Sequence, residues 1–134
     1  MWRRTASHHV DEILGRMAKP QPFRKSAQVK LDAAGSGTVT ITSPGVYWKV
    51  TRTSVSTDQK DVTVPSPQVR VYEGNNANSA AFMEGTFSGN GASSDTRHDL
   101  IPGDSITAEW TAGTPNKTAT LTVAGMQSTE PFPD

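Results

Sequence analysis

The stretch from Pro102 to Gly125 constrains the fold more than any other part of the chain. Ile106, Ala108 and Trp110 alternate with Thr107, Glu109 and Thr111. Ala119, Leu121 and Val123 alternate in the same way with Thr118, Thr120 and Thr122. Between the two runs lie Gly113, Thr114, Pro115 and Asn116. A two-residue period on either side of such a turn is the pattern of two antiparallel strands, each with one buried and one wet face. The wet face is rich in threonine, which favours extended backbone without adding charge. The stretch holds no catalytic group.

The same period runs back to Ser26. Val29 and Leu31 begin a strand, Ala34-Gly35-Ser36-Gly37 makes a turn, and Val39 and Ile41 supply a partner strand before Pro44-Gly45. Val46, Trp48 and Val50 share one face, with Tyr47, Lys49 and Thr51 opposite. Val55 is out of phase with Val50, which predicts a bulge near Arg52–Ser54. Val62 and Val64, closed by Pro65 and Pro67, fit an edge strand. Val69, Val71 and Tyr72 form the next strand, and Phe82 and Phe87 flank Gly85 in one that bends. Residues 74–79 and 88–95 read as loops from their Gly, Asn and Ser content. About eight to ten short strands at this spacing argue an all-β fold, an antiparallel β-sandwich of jelly-roll-like kind.

Residues 1–25 are different. Val10, Ile13, Leu14 and Met17 recur at i, i+3, i+4 and i+7, one stripe of an amphipathic helix. Ser7 suits its N-cap, Asp11 and Glu12 its first turn, and Arg16 and Lys19 its last, before Pro20 and Pro22 stop it. A helix of about three turns is marginal alone in water and needs a surface to pack on. The chain therefore divides into an N-terminal helical arm (1–25), a sandwich (26–125) and a C-terminal tail (126–134).

Net charge is zero over 134 residues, yet the arm carries six basic against two acidic side chains. The sandwich carries seven against nine. A basic arm on a neutral-to-acidic body points to docking on an acidic surface. Cysteine is absent, so neither a disulfide framework nor a thiolate zinc site is available. No apolar run approaches the length of a membrane span, and no membrane partner is expected. Met1-Trp2-Arg3-Arg4 lacks the apolar stretch that a secretory signal would need after it.

Four constellations invite chemistry and fall short of it. His8 and His9 are adjacent, whereas a helical metal pair needs i, i+4 spacing. Ser93, His98 and Asp104 form a triad only on paper, since triads are recognised by geometry. Asp95, Asp99, Asp104 and Glu109 lack the dense Asp/Asn ladder of a calcium loop. The glycines around GTFSGNG lack the lysine and following helix of a phosphate loop. Neither cofactor nor metal is expected. Asn116-Lys117-Thr118 matches a glycosylation acceptor, idle without secretion. Trp48 and Trp110 are in phase with aliphatic neighbours and belong to the core, while Tyr47 and Tyr72 are out of phase and are expected at the surface.

Taken together, SAQVKLDAAGSGTVTI, SPGVYWKVTRTSV, QVRVYEG, GTFSGNGASSDT and PGDSITAEWTAGTPNKTATLTVAG resemble the small β-sandwich virion structural proteins of tailed bacteriophages, those infecting actinobacteria above all. The resemblance covers about residues 26–125 and transfers no catalytic or ligand residue. It implies a non-enzymatic virion component, of capsid decoration, head-fibre, neck or minor tail type, made in the host cytoplasm. Its expected partners are capsid, portal, neck or tail subunits and further copies of itself, with no specific nucleic acid. From composition, the arm would supply attachment through Trp2, Arg3, Arg4, Val10, Ile13, Leu14 and Met17, an exposed tryptophan being a natural anchor. The alternative is a glycan-binding or host-adhesion module, with Tyr47, Tyr72 and the two loops as its contact surface for a host glycan.

Overall fold

A computed structural model describes residues 19–60, 66–74, 81–85 and 91–133. The described residues form β1 (Gln21–Lys30), β2 (Gly37–Thr42), β3 (Tyr47–Thr57), β4 (Gln68–Glu73), β5 (Ala81–Gly85), β6 (Gly91–Ser94), β7 (His98–Leu100), β8 (Ser105–Thr111) and β9 (Thr118–Ser128). One sheet has the order β1-β9-β3-β6, with β7 also on β3, and the other has the order β2-β8-β4-β5. All pairings are antiparallel. β6 and β7 pair with successive stretches of β3, so they act as one strand interrupted at residues 95–97.

Alternation made the strands, and the core shows it. Ala119, Leu121 and Val123 of one sheet face Ile106, Ala108 and Trp110 of the other, all fully buried. Trp48 and Trp110 are core residues as expected, with Trp48 stacked on Phe23 at 4.3 Å between ring centroids. The bulge is found one residue earlier than expected, between Val50 and Arg52, with Thr51 the extra residue. Gly125 lies opposite it, and a Cβ there would overlap the Lys49 carbonyl.

The two alternating runs do not pair with each other. β8 pairs with β2 and β4, and β9 pairs with β1 and β3. The connection 112–117 therefore steps from one sheet to the other, a gap of about 10 Å that six residues span easily. The turn after Leu31 does the same, so β2 is not the partner of β1. These crossovers run side by side. Leu31 N–H donates to the Lys117 carbonyl (2.8 Å), Asn116 N–H to the Leu31 carbonyl (3.0 Å) and Gly113 N–H to the Gly35 carbonyl (2.9 Å). Gly35 has φ +76°, and a side chain there would strike the Gly113 backbone.

Other expectations are revised. Residues 21–25 open β1 and are strand, not the end of a helical arm. Pro22 is tolerated because β1 is an edge. Residues 91–94, expected as loop, are β6, held to β3 by backbone pairing that composition does not reveal. Met126–Ser128 complete β9 instead of starting a tail. Beyond them the chain folds back as a strap: the Phe132 ring lies 5.3 Å from Lys49 Nζ, and Arg97 donates to the Pro133 carbonyl at 2.7 Å. Thr107, expected wet, is buried and donates to the Gly74 carbonyl at 2.6 Å. The expected helix and the Val62–Val64 strand lie outside the described residues, as does Phe87.

Candidate functional site

The outward face of the five-stranded sheet gathers polar side chains from strands far apart in sequence. The register sets them in rows across the sheet. Arg24 and Arg52 both lie opposite Ala124. Ser26, Thr122, Ser54 and Ser93 form the next row, and Gln28, Thr120, Ser56 and Gly91 the one after. Beyond it Lys30 lies opposite Thr118. These positions alternate with the buried set, so one pattern of twos builds the core on one side and the polar face on the other.

The face is recessed at two places. One recess of about 380 Å³ is lined by Arg24, Arg52, Ser54, Thr122 and Ala124. The other, of about 370 Å³, is lined by Gln28, Ser56, Thr57, Asp58, Thr118 and Thr120. Ala124 explains the first: a methyl between two long arginines leaves a hollow. Ser26 and Thr122 hydroxyls hydrogen-bond at 2.8 Å, and Arg52 reaches Ser93 Oγ at 3.5 Å. Asp58 closes the far end, its Oδ1 accepting from Thr118 N–H at 2.8 Å. The strap over Lys49 borders the arginine end.

The residues singled out from sequence fare unequally. Trp2, Arg3, Arg4, Val10, Ile13, Leu14 and Met17 lie outside the described residues, as do 75–80 and 86–90 of the two expected contact loops. Tyr47 is half-buried, opposite Ser128. Tyr72 is not a surface residue. It is 2% exposed, in regular register with β8 and on the same side of its sheet as Arg70, Thr107 and Glu109, while the neighbouring β5 bulges at Phe82 opposite it. Burial pushes its phenol pKa above the usual value; Glu109 pushes the same way and Arg70 opposes. Tyr47 and Tyr72 therefore do not form a joint platform.

Ser93, His98 and Asp104 do separate jobs. His98 Nδ1 meets Glu73 Oε1 at 2.7 Å, and its ring tilts against Phe82 with centroids 3.9 Å apart. That contact ties β7 of one sheet to β4 and β5 of the other. Ser93 faces Arg52, and Asp104 Oδ2 accepts from Ile101 N–H at 3.2 Å. Among the described residues no three His, Asp or Glu side chains converge as a metal site.

No protein-family model matches the chain, and no curated protein matches it.

Proposed function

We propose that the chain is a non-enzymatic structural subunit of a tailed-phage virion, attached through its N-terminal arm and presenting the sandwich as the outer module. The observation that carries this reading is strand order. β1-β9-β3-β6/β7 facing β2-β8-β4-β5 is the order that two nested Greek keys produce, the jelly roll used by viral capsid and lectin domains. β1 is an edge strand, so the described chain enters the sandwich at its margin, where an attachment segment before it would not have to cross the sheet. Among the described residues the buried core is built from side chains of both sheets. Its partners on this reading are capsid, portal, neck or tail subunits and other copies of the chain.

Attachment then combines apolar and ionic contributions with different salt responses. Apolar burial by Val10, Ile13, Leu14 and Met17 is insensitive to moderate salt, whereas exposed charges are screened over about 8–10 Å at physiological ionic strength. In the full chain, replacing Ile13 and Leu14 together by Asp abolishes incorporation into particles at any salt. Replacing Arg3 and Arg4 by Ser weakens it mainly at low salt. Quantifying the protein in purified particles decides the matter: wild-type copy number in the Asp variant removes the arm as anchor.

A further inference from the structure

We propose that the outward face of the five-stranded sheet binds an acidic polysaccharide, its carboxylate or sulfate groups held by Arg24 and Arg52 and its hydroxyls by the serine and threonine rows. This goes beyond attachment to a particle and does not depend on it.

The arginines are the first ground. They flank Ala124 from the strands on either side of β9, about 10 Å apart by strand spacing. Among the described residues neither is paired with a carboxylate. Two exposed guanidiniums over a hollow are ready to fork onto a planar anion. Arg97 is the contrast on the same sheet, already forked onto Asp99 at 2.8 and 2.9 Å.

The second ground is what lies beside them. From the arginine row to the Gln28 row the face runs about 14 Å along the strands. It is paved with short hydroxyl side chains, each a donor and an acceptor. Short side chains let a ligand lie close to the sheet, and hydroxyls match sugar hydroxyls without demanding one orientation. Neither recess is lined by an aromatic ring. Single-stranded nucleic acid relies on aromatic stacking platforms, whereas a saccharide can also be held through its hydroxyls alone. A neutral glycan could accept from the guanidiniums but would leave both charges unmatched. At the far end Asp58 and Lys30 both lie beside Thr118, one charge of each sign, so the two arginines are the net positive part of the face.

The test uses the purified full chain and four probes: an oligogalacturonate for carboxylates, chondroitin sulfate for sulfates, dextran as neutral control and oligo-dT as nucleic acid. Calorimetric titration at low salt should show binding to one or both acidic polysaccharides, weakening as salt rises, with none to dextran. Replacing Arg24 and Arg52 together by Ser should weaken it at least about tenfold, the loss of one charge-assisted hydrogen bond or more. Thr122→Val should weaken it about threefold, consistent with one neutral hydrogen bond. Unchanged melting temperatures would show that both variants remain folded. The relative affinities for the uronate and the sulfated chain identify the acid. No binding to either at millimolar concentration overturns the proposal, as does binding indifferent to the arginine pair. Oligo-dT binding as tightly as the polysaccharides through the same arginines would make the face a nucleic-acid site instead. Particle attachment is read by copy number and this face by titration, so either reading can fail alone.

Discussion

The two faces of the five-stranded sheet share every backbone hydrogen bond and almost nothing else. Along β9, Ala119, Leu121 and Val123 are sealed against the opposite sheet, while Thr118, Thr120 and Thr122 meet solvent. On β3, Val50 and Val55 belong to the core, while Arg52 and Ser54 line a recess. The inner face is fixed by volume, since close packing leaves a removed side chain as a cavity. The outer face has no volume to fill, and its composition answers to whatever touches it. Stability should therefore read one face, and recognition the other.

The sharpest break between them is expected at the tryptophans. Trp48→Ala or Trp110→Ala should cost about 3–5 kcal/mol in chemical denaturation, the range for a buried large aromatic. A loss under about 1 kcal/mol at either would mean that the inner face is loosely packed. Gly125→Ala adds only a methyl, yet it must displace the Lys49 carbonyl at the β3 bulge. It should cost about 1–3 kcal/mol, the scale of overpacking. Neutrality there would show that the bulge yields.

Tyr72 extends the comparison to the second sheet, whose outward side holds a buried phenol. Its folded pKa is raised above the usual value near 10, so folding favours the protonated ring. That contribution is full below about pH 10 and is lost as pH rises through the folded pKa, because the unfolded chain releases its proton first. Melting temperatures followed above pH 10 should fall less steeply in Tyr72→Phe than in the wild type. Equal slopes would remove Tyr72 as the cause. The smallest effect belongs to the polar face: Thr122→Val should change stability by no more than about 0.5 kcal/mol. A larger loss would mean that the hydroxyl row helps hold the sheet.

Much of this was legible in the sequence, and the failures share a cause. Alternation identified Ile106, Ala108, Trp110, Ala119, Leu121 and Val123 as core, and the phase slip before Val55 announced the bulge. Partnership was not legible. Gly113–Asn116 carries the same local signal whether the next strand pairs beside its predecessor or crosses to the other sheet. The phase of Tyr72 gives its side of the sheet and says nothing of what covers it there. The helix expected before Pro20 lies outside the described residues, but Gln21–Lys25 shows how proline spacing misled: an edge strand accepts Pro22 as readily as a spacer does. The polar face had a signal in each strand, with Arg24, Ser26 and Gln28, then Arg52, Ser54 and Ser56, then Thr118, Thr120 and Thr122 at every second position. Only the strand order β1-β9-β3 brings the three together, and that is a long-range property.

That order also governs when the molecule can exist. β9 lies between β1 and β3, and β8 between β2 and β4, so the middle of each sheet is its last part to leave the ribosome. At about 5–20 residues per second, β1 and β2 wait several seconds without any strand to pair with. Meanwhile β3 can take up β6 and β7, and β4 can take up β5. A chain halted before Ser105 lacks the partners of both β1 and β2, which β9 and β8 supply. Closure of the five-stranded sheet is therefore deferred until β9 has emerged, because among the described residues β1 has no other partner strand and β3 keeps only β6 and β7.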